Sequence, residues 1–162
     1  MRILCRFAAI VLFVIGSTFT ISAQEKEADE KKITRKEVPA AVLTAFEKAF
    51  PKAKVVGYTQ EMEEGKVAYE IESREGNMTR DVLYYADGTV IVVEETMSPA
   101  DLPKPVQAAI LKISPAGKIE IAEILKRGST VQYEVLMKDG SKEFELIFDP
   151  AGNLVKREDK KT

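Results

Sequence analysis

Histidine is absent from the chain, and its one cysteine, Cys5, lies close to the N-terminus. Without histidine there is no imidazole to act as the usual general base. Without a thiol beyond residue 5 there is no cysteine nucleophile, no internal disulfide and none of the common zinc or transition-metal ligand sets. Long apolar runs are missing too. The longest, Phe7 to Ile15, has nine residues, far short of the ~20 that span a bilayer. Nor is positive charge in excess, so the clustered basic surface that holds nucleic acid is not expected.

What the N-terminus does have is the pattern of an export leader. Arg2 and Arg6 precede the apolar run, and Ile21-Ser22-Ala23 supplies small residues before Gln24. That pattern predicts a signal peptide over 1–23, cleaved near Ala23, and a periplasmic or secreted protein. The alternative is a leader retained as an anchor. Cys5 precedes the apolar run, so no thiol stands at the cleavage point to be acylated. Loss of Arg2 and Arg6 takes the 24 basic residues to 22 against 26 acidic, a net charge of −4. The exported chain carries no thiol into a compartment where disulfides form, so an apolar core must hold it. No stable membrane insertion is expected after cleavage, and no cofactor or metal.

The chain repeats itself. Residues 38–95 slide onto 102–159 at a constant offset of 64, matching Pro39/Pro103, Val42/Val106, Ala45/Ala109, Pro51/Pro115, Val67/Val131, Tyr69/Tyr133, Glu70/Glu134, Gly76/Gly140, Gly88/Gly152 and Glu94/Glu158. An internal repeat fixes the structural unit before any other reading. The expected organisation is a charged flexible tether over 24–33, a first copy over 34–97 and a second over 98–159. A copy of this size is marginal alone by surface-to-volume scaling, so the copies are expected to share a core or pack tightly together.

Each copy reads as a helix followed by strands. Pro39 and Pro103 suit a first helical position, while Val42, Ala45, Phe46, Ala49 and Phe50 recur at helical spacing, as do Val106, Ala109, Ile110 and Ile113. Pro51 and Pro115 close the helices. Thr34-x-x-Glu37 and Ser98-x-x-Asp101 predict a capped single turn upstream of each. Beyond them, period-two alternation in Val67-Tyr69-Ile71, Val131-Tyr133-Val135 and Phe144-Leu146-Phe148, with glycine-bearing turns between runs, predicts strands. The fold class is α+β: two tandem repeats, each a helix packed on a four-stranded antiparallel β-meander.

Candidate chemistry is sparse. Asp87-Gly88 and Asp149 to Asn153 lack the alternating oxygen ligands of a calcium loop and read as hairpin turns. Ser98, Ser114, Ser129 and Ser141 fall at a cap, a helix end and two turns, not in a catalytic arrangement. Glu70 and Glu134 match across the copies, and Asp81 and Glu145 occupy equivalent positions. They alternate with core residues, which places them on the wetter face of the sheet, either solvated or in contact with a ligand. Leu83, Tyr85 and Ile147 share that phase. They are either anchors of a binding face or packing under the other copy.

Val38-Pro39 through Lys54, Val67-x-Tyr69-Glu70 and Asp87-Gly88-x-Val90, with Leu102-Pro103 through Lys118, Val131-x-Tyr133-Glu134 and Gly152-x-Leu154 in the second copy, resemble the PepSY-like family. That family, also described as beta-lactamase-inhibitor-like, consists of secreted bacterial proteins, often with tandem copies. The resemblance spans about 34–158. It implies a non-enzymatic periplasmic or secreted binding module. The expected site is the sheet face carrying Glu70, Leu83, Tyr85, Glu134 and Ile147, its partner an unidentified protein or peptide of the cell envelope, with inhibition of an envelope or extracellular hydrolase as the sharper form. The alternative is a small-ligand or envelope-stress binding protein that uses a cleft between the repeats.

Overall fold

The computed structural model describes residues 30–160. The leader read at 1–23 and most of the tether, 24–29, lie outside the described residues. Each helix opens on a proline. Helix α1 runs over Ala40–Ala49 and α2 over Lys104–Ile113, with Pro39 and Pro103 as their N-caps at φ −55° and −54°. The prolines stand one residue earlier than the sequence predicts, because the ring's fixed φ also fits an extended cap. Their carbonyls accept the first helical bonds, from the N–H groups of Leu43 and Gln107. Val42 and Phe46 of α1 and Val106 and Ile110 of α2 are buried against the sheet, one turn apart as the 3.6-residue period requires.

A 3₁₀ turn precedes each helix, at Arg35–Glu37 and Pro99–Asp101. In the first, the Glu37 carboxylate accepts from the Thr34 backbone N–H at 2.8 Å and from its hydroxyl at 2.9 Å. In the second, the Ser98 hydroxyl oxygen accepts from the Ala100 N–H at 3.3 Å.

The strands are β1 (Lys31–Lys32), β2 (Lys54–Glu63), β3 (Lys66–Glu75), β4 (Met78–Tyr85), β5 (Val90–Thr96), β6 (Lys118–Arg127), β7 (Thr130–Asp139), β8 (Lys142–Phe148) and β9 (Leu154–Asp159). They form one antiparallel sheet in chain order. The copies therefore do not carry separate sheets: β5 pairs directly with β6, Glu94 opposite Leu125 and Thr96 opposite Glu123. β1 is a second departure. Lys31 and Lys32, read as the end of the flexible tether, pair with Gln60 and Thr59, and the Ile33 N–H donates to the Tyr58 carbonyl. Both lysines are exposed, so the pairing is made by backbone alone and leaves no mark in composition.

The helices share one face of the sheet and build two cores there. One holds Val38, Val42, Phe46, Ile71, Val82 and Tyr84; the other includes Leu102, Val106, Ile110, Val135, Leu146 and Phe148. Residues related by the offset share burial: Val42 and Val106 are fully buried, as are Val82 and Leu146, and Tyr69 and Tyr133 are half-buried in both copies. The last hairpin of each copy backs onto its helix. A Cβ on Gly88 (φ +87°) would meet the Ala41 carbonyl at 2.8 Å, and one on Gly152 (φ +84°) the Pro105 carbonyl at 2.6 Å, so glycine is required there.

Candidate functional site

The other face of the sheet meets neither helix. Its apolar residues form a cluster drawn from strands alone, with Ala68, Leu83, Ile91, Val92 and Leu125 buried and Tyr85 packed against them. Leu83 is 3 % exposed and Val92 1 %, low for a face that no described element covers. The sheet curls over this face. Arg127 on β6 and Glu63 on β2 form an ion pair at 3.0 Å although their strands are four places apart in the sheet. A flat sheet would hold those strands ~19 Å apart, beyond what the two side chains can span. This face is therefore concave.

The curl has a local cause repeated in both copies. The β2–β3 register jumps between Val55 and Gly57, and β6–β7 jumps between Ile119 and Ile121. β4–β5 jumps at Leu83/Tyr84, and β8–β9 at Ile147/Phe148. These are β-bulges, which bend a strand and raise its twist, at positions again related by the offset of 64.

Concavity changes what the carboxylates of this face experience. Glu72, Asp81 and Glu94 stand directly opposite one another across β3, β4 and β5, and Glu123 stands opposite Glu134 on the next two strands. Like charges facing each other across strands repel. Glu94 is 4 % exposed and Glu134 5 %. Burial lifts the Glu94 carboxyl well above the usual carboxylate range, and Glu134, Glu123, Glu70 and Asp81 push it in the same direction. Burial, with Asp81, Glu61, Glu72 and Glu30, raises Glu70 to about 8. Glu61 rises to about 7, again by burial, with help from Glu30 and Glu63. Glu72 has its place because Gly57 faces it: a Cβ there would sit 2.9 Å from the Glu72 carboxyl carbon.

Glu70, Leu83, Tyr85, Glu134 and Ile147, the five residues expected to form a binding face, all lie on the concave face. Glu70 pairs with Leu83 across β3–β4, and Glu134 with Ile147 across β7–β8. Their surroundings differ from expectation. Glu70 is half-buried and Glu134 buried, so neither is the solvated carboxylate that alternation suggests, and Leu83 is buried in the apolar floor. Alternation tells which face a side chain takes, not how far that face closes. Tyr85 is half-buried, with its hydroxyl 3.3 Å from Glu64 Oε2 and Lys66 over its ring.

Sequence reasoning passed over Glu72, Glu94 and Glu123 as site residues. Glu94 carried a signal: it is in phase with Val92 on β5 and matches Glu158 in the other copy. The junction between the copies, where the alternative reading put a cleft, is a hydrogen-bonded ladder whose helix side carries the ion pairs Arg80–Glu95 and Lys126–Glu95, each at 2.7 Å. Asp87 accepts from the Thr89 N–H, and Asp149 from the backbone and side-chain amides of Asn153, closing hairpin turns. Among the described residues no group of three or more acidic side chains is placed to hold a metal ion, and no helix is long and apolar enough to cross a membrane.

Comparison with known proteins follows this geometry. The profile of a family described as "Putative beta-lactamase-inhibitor-like, PepSY-like" matches residues 17–92 and again 69–156. No curated protein matches the chain. Among solved structures, a DUF2874 family protein from Bacteroides ovatus aligns over 75 % of this chain and 86 % of its own at 17 % identity, with a TM-score of 0.62. A "putative periplasmic" protein from Bacteroides eggerthii aligns over 75 % and 88 % at 12 % identity, TM-score 0.66. A BLIP-like protein from Bacteroides fragilis aligns over 75 % and 86 % at 21 % identity, TM-score 0.59. At these identities the likeness is one of fold.

Proposed function

The chain belongs to this PepSY-like family, and from that premise we propose that it is an exported, non-catalytic binding protein that takes a protein or peptide partner on the concave face of its sheet. The observation that carries the reading is the Glu63–Arg127 pair across four strands. It makes the face concave, with apolar and acidic residues side by side. Interfaces draw their energy from a few apolar and aromatic anchors, and Tyr85, half-buried beside the apolar cluster, is placed to provide one. The leader pattern at Arg2 to Ala23 supports export, as does the description of a similar fold as periplasmic. With no histidine in the chain, the groups of this face raised toward neutrality are carboxyls, Glu61 and Glu70 among them, and the reading assigns them to recognition. Inhibition of an envelope hydrolase is its sharper form.

The experiment is affinity capture from an envelope extract with the full exported chain, followed by hydrogen-exchange footprinting of the complex. Protection is expected on β3 to β6 at Ala68, Leu83, Val92 and Leu125. Protection confined to α1 and α2 would place the interface on the helices and end the reading. An enriched hydrolase, assayed with and without the chain, decides whether binding inhibits.

A further inference from the structure

The repeat reaches further upstream than Pro39, and it does so in backbone hydrogen bonds. At the junction between the copies, β5 pairs with β6 at Val93–Lys126, Glu94–Leu125, Glu95–Ile124 and Thr96–Glu123. The Met97 N–H then donates to the Ala122 carbonyl. Subtracting 64 from the last two pairs gives Lys31–Gln60 and Lys32–Thr59, the register of β1 on β2. Subtracting it from the Met97 bond gives Ile33 N–H to the Tyr58 carbonyl, which is also present. β1 is therefore the stub of a junction strand, filling on β2 the place that β5 fills on β6. It covers half of that place. Lys126 and Leu125 lie under β5, whereas no described residue is paired on this side with their counterparts Met62 and Glu61, and Met62 is 50 % exposed.

The opposite edge of the sheet carries the complement. β9 is the last strand, and no described strand pairs with its outer side. Residues 157–160 are the counterparts of 93–96. Alternate residues of an antiparallel strand turn their N–H groups to the same neighbour, so Glu95 turns its N–H to β6 as Met97 does. Asp159, its counterpart, turns its own outward. Arg157 and Asp159 are exposed, so side chains leave this edge open to approach.

We propose that β9 is a docking edge for β2 of a second copy of this chain, in the register of β5 on β6, and that β1 guards β2 against it. Arg157, Glu158, Asp159 and Lys160 of one molecule would stand opposite Met62, Glu61, Gln60 and Thr59 of the next. A strand edge with open backbone groups is a template for another chain. Here template and complement lie at opposite ends of one sheet, so copies add head to tail and the series has no natural stop at two. The occupant is set by the register already built at the internal junction, which the same fold repeats at each end. Charge also suits the exchange. Glu61, raised first by burial, is raised further by Glu30. The acid that β9 brings, Glu158, arrives with Lys156 at 2.9 Å and Lys160 at 3.7 Å. Both edges lie apart from the apolar cluster of the concave face, so this pairing stands or falls independently of the binding reading.

The test is sedimentation velocity of the full exported chain across micromolar concentrations, with a thermal melt of each variant. The parent is expected to stay monomeric. Lys31→Pro with Lys32→Pro takes β1 out of the ladder and empties no buried site, since both side chains are exposed. Its mass should climb with concentration through dimer to longer species, with an association constant at least tenfold above the parent's. Adding Asp159→Pro, which removes the outward N–H of β9, should return that variant to monomer. Lys31→Gly with Lys32→Gly loosens β1 more gently and carries the test if the proline variant loses its cooperative melt. A β1 variant that stays monomeric, a series that stops at the dimer, or association that survives Asp159→Pro would each overturn the pairing. A parent that forms the same series as the β1 variants would overturn the guard.

Discussion

At the centre of each helix-side core the two copies are close to interchangeable: Phe46 answers Ile110, Val82 answers Leu146, Tyr84 answers Phe148, and all are buried, while nearby Ser73 and Arg80 stand where the second copy has Met137 and Phe144. On the concave side the same offset pairs Glu63 with Arg127, Glu72 with Leu136, Val92 with Lys156 and Thr96 with Lys160. Identical fold requirements act on both copies where a helix must dock. They do not act on the concave face, which is free to differ between the copies. Packing explains the first list of pairs, and charge is the main variable in the second.

Interchangeability of the helix side predicts matched and large effects. Phe46→Ala and Ile110→Ala each empty a buried site of the same architecture and should each cost ~3–4 kcal/mol. Because β5–β6 pairing makes the sheet continuous, either change should lower a single cooperative transition in thermal melts. Two separate transitions in either variant would show the copies to be independent folding units, and the comparison would then have to be made between domains.

The contrast of the concave side is sharpened by pH. Glu70 and Glu61 have folded pKa values of about 8 and about 7, above the ordinary carboxyl value, and Glu94 is raised as well, by burial and then by Glu134, Glu123, Glu70 and Asp81. The folded chain thus holds more protons than the unfolded chain between pH 5 and 8, and stability falls as pH rises through that window. The melting temperature should be several degrees lower at pH 8 than at pH 5. Glu94→Gln removes the buried charge and should raise it at pH 8. Its counterpart Glu158→Gln removes a partly exposed partner of Lys156 and Lys160 and should lower it slightly, as surface pairs contribute up to ~1 kcal/mol. The same sign for both variants at pH 8 would erase the distinction between the copies.

Most of the architecture was legible because it is written in periodicity. The repeat, both helices and the strand limits near Lys54, Lys66, Met78, Lys118, Thr130 and Lys142 follow from spacing and turn residues, each within a residue or two. β1 was not, since two exposed lysines pair through backbone groups that every sequence has. The concavity was not either. Bulges break alternation by one residue, as at Val56 and Ile91, and a single skipped residue looks like noise in a short strand. The carboxylates could be assigned to a face from sequence but not to an environment.

The smallest expected effect concerns a helix-side pair that differs by a single hydroxyl. Tyr84 is fully buried in the first core and its hydroxyl has no hydrogen-bond partner; burial raises its pKa to about 12, with Arg80 pulling the other way. Phe148 fills the equivalent place in the second core without a hydroxyl. A buried, unsatisfied polar group costs ~1–3 kcal/mol, most of it recovered when an apolar group of the same shape replaces it. Tyr84→Phe makes the copies alike at this position and should stabilise the chain by ~1 kcal/mol, seen as a small rise in the urea midpoint at unchanged slope. The concave face lies on the other side of the sheet, so partner capture should be unaffected. Loss of stability in Tyr84→Phe would mean the hydroxyl is held by a bound water or by Arg80, and the two cores would no longer count as equivalent.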